Sequence, residues 1–237
     1  MVEKKFNEEY FNKNEFFKED PWRFGRSPYE LNKYQRQIDL IKALISPKKP
    51  EKVDSILEVS SAEGIFTQML LENFENAKIT GVEFSSEAFK RSVKNLEPYG
   101  ERVELIHGDI VDYAKNLKEK SFDAAVMSEV ILYIGNDHSF TEMNDRVFYP
   151  VANSLKLGGV LVIAQIVDQK GYPEEDLSKT PIIHSYKAML RDQPILKKVY
   201  DEPFFEYKDE EDQVFNYELW GFRRVDEKVE PNWKWRK

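Results

Sequence analysis

Cysteine is absent from the 237 residues, which excludes disulfides, thiolate nucleophiles and Cys-ligated zinc or iron–sulfur centres. Three scattered histidines form no metal-ligand spacing, so the site is expected to hold no metal. Its chemistry must come from carboxylates, hydroxyls, aromatics, backbone groups or a borrowed cofactor. No run of about 18 apolar residues occurs. The opening MVEKKFNEEYFNKNEFFKEDPW is charged throughout, without the apolar stretch of an export signal. The expectation is a cytoplasmic protein with no membrane partner. Positive charge is also in deficit: 35 Lys+Arg face 43 Asp+Glu, a formal net charge of −8 and a pI of about 5.2. That balance argues against general nucleic-acid binding. What is present is apolar surface, 41% of residues with 14% aromatic, enough for one layered core at this length.

Between Val53 and Val167 short β-rich runs alternate with segments of helical period, the signature of parallel strands joined by crossover helices. The strand candidates are Val53 to Val59, Ala77 to Glu83, Arg102 to Gly108, Ser121 to Ser128 and Gly158 to Val167. Their runs are nearly continuously apolar, as suits strands covered on both faces. Upstream, Pro28 to Ile45 reads as a helix opened by proline, with Leu31, Tyr34, Ile38, Ile41 and Ile45 on one face. Downstream, Pro181 to Arg191 reads as a helix, and two aromatic stretches separated by the acidic KDEED read as an antiparallel hairpin. The fold class expected is a three-layer α/β architecture, its sheet mostly parallel with an antiparallel C-terminal strand. The first fifteen or so residues and the WKWRK tail are expected to be disordered.

Three acidic residues, Glu58, Glu83 and Asp109, fall at or just past the carboxyl ends of three successive strand candidates. In doubly wound sheets those ends open onto one crevice, and a carboxylate about twenty-five residues after the first strand is placed to bind ribose hydroxyls. The alternative is that each merely caps a helix or lies in a solvated loop. Small residues in the LEVSSAEGIFT loop let a ligand approach the backbone at a helix N-terminus. SSAEGI lacks the G-x-G-x-x-G of nicotinamide enzymes. His107 reads as a packed core histidine within a strand, and His184 lies on the downstream helix without a partner legible in the sequence.

LEVSSAEGIFTQML, SFDAAVMSEVILYI and DPWRFGRSPYELNKY together resemble the class I S-adenosylmethionine-dependent methyltransferases, and within them the NodS-like branch. The resemblance runs from Asp20 to about Arg224. The family's acidic-x-Gly-x-Gly-x-Gly loop maps to Glu58, Ser60, Ala62 and Gly64, so only the last glycine is kept. It implies a Rossmann-like methyltransferase fold of seven strands that binds S-adenosyl-L-methionine. The organisation would be an extension and lid helix over 1–50, a methyltransferase domain over 51–225 and a flexible tail over 226–237. By resemblance, Glu58 holds the methionine amino group, Glu83 the ribose hydroxyls, and Phe84 and Ile110 flank the adenine, whose amino group Asp109 accepts. Ser128 and Glu129 would lie near the methyl group, with Tyr133, Asn136, Asp137 and His138 around the acceptor.

Orientation and proximity account for much of the rate of methyl transfer. A base serves to take the acceptor's proton, and Glu129 and His138 are the candidates; a helix-capping carboxylate and a solvated loop histidine are the respective alternatives. Trp22 to Tyr34 would form a lid, with Tyr29 and Tyr34 touching the cofactor or, alternatively, packing ordinarily on the sheet. The function implied is methylation of a small or medium polar acceptor, an amine such as that of an amino sugar before a hydroxyl. The competing readings are a small-molecule O-methyltransferase and a catalytically inactive methyltransferase-fold partner protein.

Overall fold

The computed structural model describes residues 6–15, 18–21, 23, 25–45, 53–170, 180–208 and 214–225. The chain opens with α1 (Glu8–Tyr10), continued by a π-helical turn over Phe11–Glu15, then α2 (Pro28–Ile45). From there β1 (Ser55–Val59), α3 (Ile65–Asn73), β2 (Lys78–Glu83), α4 (Ser86–Leu96), β3 (Val103–His107), α5 (Ile110–Tyr113) and β4 (Phe122–Ser128) alternate. Next come α6 (Ile131–Asn136), α7 (Phe140–Met143), a π-helical turn, α8 (Tyr149–Ser154), β5 (Leu155–Lys170), α9 (Thr180–Arg191), β6 (Leu196–Lys208) and β7 (Val214–Arg224).

The seven strands form one sheet in the order β3-β2-β1-β4-β5-β7-β6. The first five neighbours pair in parallel, and β7 runs antiparallel to both β5 and β6. This is the three-layer, Rossmann-like architecture that the strand pattern predicts. The chain fills the sheet outward from β1 toward β3, then crosses back to β4, so the strand order reverses between β1 and β4. In open α/β sheets ligands bind at that reversal, beyond the carboxyl ends of the strands. The residues between β6 and β7, and the C-terminal tail, lie outside the described residues.

Two apolar layers sandwich the sheet. One joins α2 and α3 to it through Ile38, Ile41, Phe66, Leu70, Ile56, Val126 and Val162; the other joins α5 to α9 through Val111, Val147, Phe148, Val151, Leu190, Leu57 and Trp220. Helix α2 is therefore part of the same core as the central strands. Its buried face holds Tyr34, Ile38, Leu40 and Ile41, and also Glu30, Lys33 and Gln37. The last three sit at i, i+3 and i+7, one continuous polar ridge on a buried surface. Burying such groups is costly unless each finds a partner, so the ridge points to a polar site beneath it.

Two expectations fail here. Residues 6–15 are folded onto the domain: Asn12 donates to Ser86 Oγ at 2.9 Å and accepts from Ser85 Oγ at 2.7 Å, at the start of α4. Apolar Phe6 and Phe11, embedded in a polar stretch, find aromatic partners that sequence order does not reveal. His107 is exposed, with Nε2 3.3 Å from Glu8 Oε1 and its ring 5.2 Å from Phe89. The reason is that β3 is an edge strand of the sheet, so its side chains are only half covered. His184 is likewise exposed.

Candidate active site

A cavity opens at the carboxyl ends of β1 to β4. Its walls are Glu58 to Ala62 after β1, Glu83 and Phe84 after β2, Gly108 to Ile110 after β3, and Ser128 to Val130 after β4. Tyr133, Ile134, Asp137 and His138 close one side; Glu30, Lys33 and Tyr34 of α2 form the floor, and Phe6 and Phe11 stand at the mouth. Glu58, Ser60, Ala62, Glu83, Phe84, Asp109, Ile110, Ser128, Tyr34, Glu129 and His138 are thus gathered in one place.

The loop after β1 keeps a glycine-type backbone without the glycines. Ser60 and Ala62 both have left-handed φ, 64° and 46°, a conformation costing an ordinary residue about 1–2 kcal/mol. The strain is offset by tight anchoring: Ser60 and Ser61 amides donate to Val82 O at 2.8 and 3.2 Å, and the Ala62 amide donates to Glu83 Oε2 at 2.7 Å. Glu83 Oε1 accepts from the Ser85 amide at 2.7 Å, so one carboxylate ties the first loop to the second. Burial pushes the Glu83 carboxyl up to about 7, against the lowering pull of the Ser85, Ala62 and Phe84 amides. Burial pushes Glu58 up to about 8, with the Thr67 hydroxyl, 2.6 Å from Oε2, pulling it down and the Glu83 charge pushing it further up.

Gly64 and Tyr29 lie off the cavity wall. Gly64 caps the N-terminus of α3 with φ 84°, and a Cβ there would stand 2.8 Å from Leu96 Cδ1. Its role in this structure is steric. Gly64→Ala is expected to lower unfolding stability by about 2–4 kcal/mol, the left-handed penalty plus local overpacking, measured by urea denaturation. Tyr29 instead packs on Tyr217, ring centroids 5.1 Å apart. Tyr34 lines the cavity and also stacks on Phe66 at 4.5 Å and 10°. Asn136 is exposed and off the wall.

The expected lid is only partly described, because Trp22 and Phe24 lie outside the described residues. Arg23 and Arg26 are exposed, the Asp20 amide just upstream donates to the Glu63 carboxylate, and the C-terminal end of the segment reaches the cavity through Glu30, Lys33 and Tyr34. The N-terminal segment reaches the cavity as well. Phe11 meets Phe84 at 6.0 Å and Tyr133 at 5.5 Å, Phe6 meets Tyr133 at 5.6 Å, and the Phe6 amide donates to Asp137 Oδ2 at 2.9 Å.

Asp109 does cap α5, accepting from the Val111 amide at 2.9 Å, and it faces the cavity as well. Glu129 caps nothing: α6 has Val130 at its N-cap. Its carboxylate accepts from Lys33 Nζ through Oε1 and from Tyr217 Oη at 3.2 Å through Oε2. Lys33, Glu30 and Tyr217 were not singled out by sequence reasoning, although Glu30 and Lys33 stand inside YELNKY, and their spacing on a buried helix face was the available signal. Ser128 Oγ accepts from Gln37 Nε2 at 3.1 Å.

The wall fits a nucleoside bearing an amino-acid tail. Ionised carboxylates accept from hydroxyls and ammonium groups; Phe84 and Ile110 offer an apolar slot for a base; and Ser61 Oγ, which lines the cavity beside Glu58, is buried without a partner among the described residues.

Comparison with known proteins agrees: residues 56–159 match the family model for a methyltransferase domain. That stretch, somewhat under half of the chain, is thus similar to a methyltransferase domain. Domains of this kind draw their methyl group from S-adenosyl-L-methionine. The carboxy-S-adenosyl-L-methionine synthase of Nautilia profundicola is 29% identical over 86 residues, 36% of this chain and 35% of that protein. The chain therefore matches about a third of the length of this curated relative. Among solved structures, phosphoethanolamine N-methyltransferase 2 of Haemonchus contortus in complex with S-adenosyl-L-methionine aligns with a TM-score of 0.59 at 12% identity, over 92% of this chain and 60% of that one. Geranyl diphosphate methyltransferase, also in complex with S-adenosyl-L-methionine, aligns at 0.58 and 16% identity, over 86% of this chain and 90% of that one. At these identities the likeness concerns the fold, which is that of the methyltransferases.

Proposed function

We propose that this methyltransferase domain binds S-adenosyl-L-methionine across Glu58, Glu83 and Asp109 and methylates a small or medium polar acceptor, an amine, in the manner of the NodS-like branch. The observation that carries the reading is the convergence of those three carboxylates on one cavity, at the strand-order reversal of a methyltransferase domain. When bound, the cofactor supplies an electrophilic methyl group on a sulfonium. The protein's part is to hold the methionine end with Glu58 and Ser61, the ribose with Glu83 and the base between Phe84 and Ile110, with Asp109 at its amino edge. Beyond Ser128 the wall bears Glu129, Asp137 and His138, with Glu30 and Lys33 beneath. Three carboxylates against one lysine favour an acceptor that arrives as a cation, which supports nitrogen over oxygen. Glu129 and His138 are the groups that take its proton.

In this reading 51–225 is the catalytic domain, 1–50 an extension that contributes the floor and the mouth, and 226–237 a tail. No helix among the described residues is long and apolar enough to cross a membrane, in keeping with action on a small molecule in the cytoplasm.

Calorimetry with S-adenosylhomocysteine is the test. Asp109→Ala is expected to weaken binding about ten-fold or more, the loss of one hydrogen bond to a charged group being worth roughly 1.5–3 kcal/mol. Transfer of labelled methyl to a panel of primary amines, with alcohols of the same shape as controls, reads the acceptor. Label on alcohols alone would favour O-methylation, and no S-adenosylhomocysteine binding at all would favour a catalytically inactive partner protein.

A further inference from the structure

Glu30 and Lys33, inside the Tyr-Glu-x-x-Lys-Tyr element of α2, have no part in holding the cofactor in the reading above, yet they reach the cavity. We propose that Lys33, supported by Glu30 and Tyr217, is a positioning residue that keeps the Glu129 carboxylate ionised and aimed at the acceptor; this rests on the reading that Glu129 faces the acceptor.

Glu129 is built into an unusual place. Its φ is 57°, a left-handed conformation for a non-glycine residue, held by its amide donating to Ala164 O at 2.8 Å. Strain of this kind persists where surrounding contacts over-determine it. Those contacts come from elements far apart in sequence: Lys33 from α2 grips Oε1 and the Tyr217 hydroxyl from β7 grips Oε2. Each carboxylate oxygen offers about two acceptor positions, so one on each remains for a ligand. The Glu129 side chain is 25% exposed while that of Lys33 is 2% exposed, which puts the carboxylate at the cavity surface and the ammonium behind it.

Lys33 is itself caged. Glu30 Oε2 lies 2.5 Å from Nζ, and the rings of Tyr34, Tyr217 and Tyr29 stand 5.1, 5.6 and 5.7 Å from it. Burial lowers its pKa, and the Glu30 charge opposes that. A buried ion pair is weak evidence for stability, because well-packed apolar residues of the same volume do as well or better. The cation is better explained by what it does to its neighbour. Glu129 contacts Lys33 and Tyr217, and the other titratable groups sharing the cavity lining are Glu30 and Tyr34 from α2, Glu58 from β1, Glu83 from β2, Asp109, and Tyr133, Asp137 and His138 on the α6 side. Among the described residues lining the cavity, Lys33 is the only lysine or arginine. Without it Glu129 would face other carboxylates in a partly desolvated wall, where one proton is retained. An ionised carboxylate can take the proton that an amine gives up on methylation, and a protonated one cannot.

The experiment is carbon NMR titration of full-length protein labelled at the glutamate side-chain carboxyl, with the Glu129 resonance assigned through Glu129→Gln. In Lys33→Met the Glu129 midpoint is expected to rise by about one pH unit or more, a ten-fold change in its protonation equilibrium. In Lys33→Ala, ethylammonium chloride should fill the emptied cage and restore the midpoint, a rescue that a space-filling role would not give. Lys33→Met/Glu30→Gln removes the stranded carboxylate together with the cation and should show a smaller rise, because the like charge of Glu30 is lost along with the attraction of Lys33, so it serves if Lys33→Met does not fold. An unmoved midpoint in either folded variant would overturn the proposal, as would failure of both to fold, which marks the pair as structural. Wild-type protein that does not bind S-adenosylhomocysteine would remove the parent reading while leaving the midpoint comparison intact.

Discussion

Glu83→Ala is expected to weaken S-adenosylhomocysteine binding about 10–100-fold, since the carboxylate is the acceptor offered to the ribose and hydrogen bonds to charged groups are worth roughly 1.5–3 kcal/mol. The same change should also cost stability. It strands the Ala62 and Ser85 amides that now donate to the carboxylate at 2.7 Å, at about 1–3 kcal/mol for each amide that water does not reach. Glu83→Gln separates the two effects. It keeps an acceptor oxygen for one amide but loses the charge, so it should fold better than Glu83→Ala and still bind poorly. Calorimetry beside urea denaturation gives both readings. Full affinity in folded Glu83→Ala and Asp109→Ala would place the cofactor elsewhere.

Raising the pH should loosen the free protein and tighten cofactor binding at once. Burial lifts Glu83 from 4.5 to about 7 and Glu58 from 4.5 to about 8. A carboxyl whose folded value is raised holds its proton in the folded state after the unfolded chain has released it. Its contribution to stability is therefore fully present below pH 4.5 and lost as pH climbs through the folded value. For Glu83 the loss is on the order of 3 kcal/mol between pH 4.5 and 7, because each pH unit separating the folded from the unfolded value is worth about 1.4 kcal/mol, and Glu58 extends it toward pH 8. Ribose hydroxyls and an ammonium group call for the ionised carboxylates, so binding near pH 7 should release protons. Melting temperatures of free protein should fall from pH 5.5 to 8.5, and the gain from S-adenosylhomocysteine should widen over that range. Glu58→Gln/Glu83→Gln should flatten both slopes. Calorimetry in buffers of different ionisation enthalpy counts the released protons, and none released at pH 7 would contradict the raised values.

The sequence alone determined the strands β1 to β5 and the placing of Glu58, Glu83 and Asp109 at their carboxyl ends. Apolar runs bounded by helical periods mark β1 to β5 to within a residue or two at most ends, because a strand covered on both faces writes its burial into consecutive residues. Glu58, Glu83 and Asp109 were legible for the same reason: a residue at a strand's carboxyl end is placed by the strand itself. Tertiary structure decided the rest. Lys33 and Glu129 are separated by 96 positions and Tyr217 and Glu129 by 88, and they meet only because α2 packs across the central strands while β7 runs back antiparallel beside β5. His107 is exposed because β3 came to lie at the edge, a property of strand order and not of its own residues. Phe6 and Phe11 reach the cavity beside rings that belong to β2's end and α6. Local pattern encodes which face of an element is buried; which elements then face one another depends on the order in which the sheet assembles, and the cavity wall around Glu129 is made of such encounters.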